Sequence, residues 1–95
     1  MKRIYYITRE EKLNGEIVFY QPELILGCFS EFKNAKAALD AHAVAEINWK
    51  AYNGFRLKEE ISHTSSTLTW YDKILSFGDL SIKFVVRCMM CADLG

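Results

Sequence analysis

Cys88-Met89-Met90-Cys91 is the one segment with the two-residue thiol spacing used by zinc and dithiol redox sites. A structural zinc ion usually takes a second close pair of ligands, and Cys28, His42 and His63 stand far apart in the chain. Dithiol redox chemistry needs its first thiol at a helix N-terminus, where the dipole stabilises the thiolate. Here bulky thioethers separate the thiols at the end of a strand-like run, so the pair reads as apolar strand filler. No metal site and no cofactor is assigned.

The two histidines offer acid-base chemistry. His42 shares a helical stripe with Leu39, Ala45 and Trp49 and reads as a core or boundary residue. His63 precedes Thr64-Ser65-Ser66, so a base beside a hydroxyl is conceivable, but no nucleophile elbow or orienting acid accompanies it. Glu59 shares a strand face with Leu57 and Ile61. If buried there its pKa would rise, whereas an edge position would let it reach water, and the edge is the expectation. No catalytic residue is assigned.

Glycines at 15, 27, 54, 78 and 95 form no cluster, which excludes the Gly-rich phosphate loops. Tyr5, Tyr6, Tyr20, Trp70 and Tyr71 could stack on single-stranded bases, but that mode requires a positive track. Lys plus Arg and Asp plus Glu are equal at 12 each, so the composition disfavours a nucleic-acid partner. These rings read as core and cross-strand packing.

The elements that must position these residues follow from periodicity and turn chemistry. Ile4 to Thr8 and Ile17 to Tyr20 are β-rich runs joined through Asn14-Gly15, a hairpin signal because both turn residues tolerate positive φ. Pro22 interrupts the second run, and Leu24 to Phe29 reads as its continuation after a bend. From 34 to 52 the period becomes helical, with Asn34 as N-cap, Asn53-Gly54 as stop, and an inward stripe of Ala35, Ala38, Leu39, His42, Ala45, Trp49 and Tyr52. Phe55 to His63 alternates as a strand. Thr67 to Phe77 reads as another, with a bulge at Asp72-Lys73, and Gly78-Asp79 turns into a last strand from Leu80 to about Met90.

The expected fold is α+β: a single helix packed on a four- to five-stranded antiparallel sheet in the order β-β-α-β-β-β, residues 1–95 forming one domain. A chain that is 51% hydrophobic can offset the entropy of ordering this much structure. The apolar start is too short for a secretory leader, and no uncharged run approaches the roughly 20 residues of a membrane span. Three cysteines, an odd number, suit a reducing compartment, so a cytoplasmic protein without membrane contact is expected.

A helix of about 19 residues is roughly 28 Å long and 10 Å wide, too narrow to cover five strands. Apolar sheet surface should therefore remain, to be closed by curling of the sheet or by Pro22 and the C-terminal tail folding over it, or to serve as a dimer contact or partner-binding face. The expectation is a small non-catalytic interaction module, an accessory, adaptor or inhibitor of the type common in phages and mobile elements. Its partner is a protein or a second copy in a homodimer, and its contact residues are drawn from Tyr5, Tyr20, Trp70, Tyr71 and Phe84. The competing expectation is a ligand-binding or enzymatic pocket built from Trp49, Glu59, His63 and Trp70.

Overall fold

The computed structural model describes residues 2–21 and 26–91. The elements are β1 (Lys2–Leu13), β2 (Glu16–Gln21), β3 (Cys28–Phe29), α1 (Phe32–Tyr52), β4 (Glu59–Thr64), β5 (Tyr71–Ser76) and β6 (Leu80–Cys91). The strands form one antiparallel sheet in the spatial order β2-β1-β6-β5-β4, with β3 also paired to β1. The α+β fold with one helix on an antiparallel sheet is as expected, and β3 is the sixth strand.

The centre of the sheet is the long pair β1–β6, aligned from Lys2↔Cys91 to Leu13↔Leu80. Asn14 (φ 53) and Gly15 (φ 83) turn β1 into β2 with both residues left-handed, the backbone that matches strand twist in a two-residue hairpin. The register of β1 and β2 shifts between Glu11 and Lys12, because Glu11 pairs with Phe19 and Lys12 with Ile17, leaving Val18 as an extra residue.

One face of the sheet carries Tyr5 and Ile7 from β1, Ile82, Phe84 and Val86 from β6, and Tyr71 and Leu75 from β5, matched by the strand registers. These side chains are buried with Ala35, Leu39 and Ala43 of α1. Alanines at i and i+8 around a leucine let the helix backbone approach the sheet closely, so this stripe closes the core.

Several local expectations are corrected. The helix begins at Phe32, not after Asn34: Glu31 is the extended residue before it and makes no side-chain cap. Phe32 is half-buried against the core, its ring meeting Tyr5 edge-on at 5.8 Å, which favours the earlier start. The inward stripe runs in steps of four through Ala35, Leu39 and Ala43, and Ala45, Trp49 and Tyr52 are exposed. Glu46 and Lys50 turn inward to meet charges on β1, which rotates Trp49 and Tyr52 outward.

Cys28–Phe29 is a separate strand farther along the same edge of β1, not an extension of β2, and Gly27 at φ +114 precedes it. The bend expected at Pro22 and the residues Leu24 and Ile25 lie outside the described residues. Phe55 is tied back to the helix end through its N–H to the Lys50 carbonyl (2.8 Å), so β4 starts only at Glu59. Thr67 to Trp70 form a turn, because the Ser65 hydroxyl accepts the Thr69 and Trp70 N–H groups at 3.0 and 3.1 Å. No bulge occurs at Asp72-Lys73, whose pairing with His63 and Ser62 is continuous.

Leu39 is fully buried at the centre of the helix stripe. Leu39→Ala is expected to lower unfolding free energy by about 2–5 kcal/mol, the cost of lost transfer energy plus a cavity, in guanidinium titration. A loss below about 1 kcal/mol would show that the helix closes over the gap.

Candidate interaction surface

Two charged clusters bracket the helix on the covered face. On the β1 side, Arg9 Nε donates to Glu46 (2.8 Å) and its terminal nitrogen to Glu11 (2.7 Å), while Lys50 approaches Glu11 at 3.4 Å. All four side chains are largely shielded from solvent, so their pairing is less screened than on an open surface. On the β5 side, the Tyr71 hydroxyl donates to Asp40 (2.6 Å), and Lys73 reaches Asp40 at 3.0 Å and Glu60 at 3.1 Å.

Burial by itself would push the Lys73 ammonium toward neutrality, but its two carboxylate partners outweigh this and raise its pKa above the ordinary lysine value. Burial and the bond to Asp40 both raise Tyr71. Asp40 is also penalised by burial, yet the Tyr71 hydroxyl and Lys73 hold it below the usual aspartate range. Near neutral pH this leaves a protonated phenol, a charged ammonium and an ionised carboxylate. Their contacts join Asp40 of the helix to Tyr71 and Lys73 of β5.

The opposite face is crossed by a row of Thr8, Val85, Asp72 and His63 from four successive strands. Asp72 is buried there and contacts His63 Nδ1 at 2.9 Å, with Lys83 4.0 Å from its other oxygen. This contact fixes the orientation of the His63 ring, and sequence alone did not disclose it. In the turn that follows β4, the Thr67 and Thr69 hydroxyls bond each other at 2.8 Å, and the Ser65 hydroxyl accepts from the Thr69 and Trp70 N–H groups.

Of the contact residues expected from sequence, Tyr5, Tyr71 and Phe84 are only 7%, 4% and 1% exposed and lie in the core beneath α1. Their strands alternate, and the alternation places these rings on the covered face, so they are removed as surface contacts. Tyr20 and Trp70 remain at the surface.

The pocket proposed around Trp49, Glu59, His63 and Trp70 is not assembled. Trp49 lines a shallow cleft of about 240 Å³ with Arg9, Leu26, His42, Glu46 and Phe84, where the His42 ring stacks on Phe84. The β4 register puts Glu59 and His63 on the other face of the sheet, and Glu59 is exposed there. Cys88 packs against the core as a free thiol, Cys28 is exposed, and the Cys91 side chain lies outside the described residues. Among the described residues no three His, Cys, Asp or Glu side chains gather as metal ligands.

The surface that does stand out is β2. Ile17, Val18, Phe19 and Tyr20 are successive and 50–59% exposed, and β2 ends the sheet with no second neighbour among the described residues. Arg9 lies over the Phe19 ring at 5.6 Å. The other terminal strand, β4, is also exposed throughout, but it carries Glu59, Glu60 and His63 around a single large apolar residue, Ile61. Charge on an edge discourages further pairing, and β2 has only Glu16, at its end. Sequence showed β2 as a strand; that it ends the sheet depends on long-range pairing that no local pattern encodes.

No helix among the described residues is long and apolar enough to cross a membrane. Comparison with protein-family models, curated proteins and solved structures gives no match.

Asp40 has a lowered folded pKa, so its contribution to stability is complete above the ordinary value of 3.8 and is lost as pH falls through the lower folded value. Asp40→Asn should therefore be less stable than the wild type at pH 6, with the difference shrinking at about pH 2.5 in urea titrations. An unchanged difference at both pH values would remove Asp40 from the acid limb of unfolding.

Proposed function

We propose that the protein is a non-catalytic protein-protein interaction module, of the accessory, adaptor or inhibitor type, that docks through the outer edge of β2. The observation carrying this reading is the run Ile17-Val18-Phe19-Tyr20, half-exposed on a strand whose outer N–H and C=O groups lack a sheet partner among the described residues. Such an edge accepts an extended segment by main-chain hydrogen bonding, and the apolar side chains beside it supply the desolvated contact. The partner chemistry this fits is a strand with apolar side chains and little charge.

Three features support this choice over the second exposed edge and over a pocket. β4 is guarded by acidic residues, the four residues of the expected pocket lie on different faces, and the perturbed Asp40, Tyr71 and Lys73 are occupied by one another. Cys28 and Cys88 as free thiols suit the reducing cytoplasm expected from the sequence.

The test is affinity capture from native extract with the wild type and Ile17→Glu, quantified by mass spectrometry. Ile17 is already exposed and pairs with Lys12, so the introduced carboxylate sits opposite a lysine and the fold should be retained, as circular dichroism would verify. The expected result is recovery of a specific protein, or of the chain itself, falling about tenfold or more in the variant, since a buried charge at an edge contact costs at least ~1.4 kcal/mol. Capture that is unchanged by Ile17→Glu would sink the strand-edge reading.

A further inference from the structure

We propose that the occupant of the β2 edge is a second copy of the same chain, paired antiparallel β2 to β2 about a two-fold axis between Val18 and Phe19. This rests on the strand-edge reading above and adds the identity of the partner, which the bulge and the charge pattern of the hairpin specify.

The axis must stand perpendicular to the sheet, because only that operation relates two antiparallel neighbours while keeping each face continuous. Paired residues must then lie on the same face. In a regular six-residue strand, aligning Glu16 with Gln21 of the other copy would oppose residues from different faces. The extra residue in β2 removes this conflict. Ile17 pairs with Lys12 and Tyr20 with Glu10, two even-numbered residues of β1, so Ile17 and Tyr20 share the uncovered face although they are three apart. Glu16 pairs with Leu13 on the helix-covered face, and the Gln21 backbone pairs with Arg9. A bulge normally turns an edge away from further pairing; here it is what lets Ile17 and Tyr20 oppose each other on one face in the two-fold register. Slipping by one residue puts Ile17 opposite Phe19, which lies on the covered face with Glu11.

Charge follows the same register. Glu16, the only charged residue of β2, meets the neutral Gln21 of the second copy and never its own image. Across the joined sheet the uncovered face reads Glu10, Tyr20, then Ile17 and Lys12 of the second copy, and the symmetric row repeats it, so each row ends in opposite signs. Ile17 against Tyr20 is an apolar cross-strand pair made twice, flanking Val18 against Phe19 made twice. Pairing β2 with β4 would be heterologous, opening a chain of molecules and setting the acidic β4 edge against the apolar strand. The isologous pairing closes at two, with both helices on one side of a continuous sheet.

The test is sedimentation velocity of the full chain over a series reaching about 100 μM, a range that populates even small interfaces. The wild type should sediment as a monomer-dimer equilibrium. Ile17→Glu and Tyr20→Lys each introduce a charge that faces an opposite charge within its own hairpin, Lys12 or Glu10, and each should weaken the dimer by about 100-fold because the change occurs twice per interface. The double variant I17E/Y20K sets the new carboxylate against the new ammonium across the axis, twice, and should recover at least about tenfold of that loss. This rescue distinguishes the two-fold register from general loss of apolar surface. A wild type that stays monomeric overturns the proposal, as does a double variant weaker than either single one or growth beyond the dimer. A monomer that still captures another protein through an intact β2 leaves the strand-edge reading standing and ends self-pairing.

Discussion

The contact of Ala35, Leu39 and Ala43 with the buried side chains of β1, β5 and β6 is what the rest of the structure depends on. The helix has no side-chain N-cap and no acidic residue in its first turn, so its terminus contributes little to its stability. Tertiary packing must supply the remainder. A stripe of two alanines and one leucine allows close approach but covers little width. At each side of the stripe the contact passes to charged residues, Arg9 with Glu46 and Lys73 with Asp40, which mark where the dry core ends.

That narrowness shapes the molecule beyond the core. With only the middle of the sheet beneath the helix, both terminal strands are left exposed, and they meet that exposure differently. β4 is polar, with an acidic start and His63 held by the buried Asp72. β2 is apolar along four successive residues. The difference matters because an unpaired edge is reactive toward other strands, and charge is a common way to suppress that. Among the described residues, one terminal strand therefore carries charge along its exposed length and the other is apolar.

The buried polar groups are paired by the same geometry. Among the described residues no buried side-chain nitrogen or oxygen lacks a hydrogen-bond partner. The raised Tyr71 and Lys73 and the lowered Asp40 are reciprocal effects within one cluster that ties α1 to β5. Asp72 can stay buried on the uncovered face because His63 and Lys83 lie beside it. Perturbed titration in the first cluster follows from joining a helix to a sheet with paired charges.

Local chemistry made much of this fold legible. Asn14-Gly15 fixed a hairpin, alternation over Leu80 to Cys88 fixed the faces of β6, and Gly54 ended the helix, because each depends only on backbone sterics or residue period. The inward side of the C-terminal half of α1 was not legible, since Arg9 and Glu11, nearly forty residues away, draw Glu46 and Lys50 inward. Nor was the fate of the aromatic residues: Tyr5 and Tyr20 look alike as strand tyrosines, and only their places in the sheet bury one and expose the other. Sequence by itself determined the α+β class, the single long helix and most of the strands in their order, all set by short-range preference and composition. The tertiary structure decided which strand became the open edge and which side of the sheet the helix covered, because those depend on pairings between distant segments that compete for the same core.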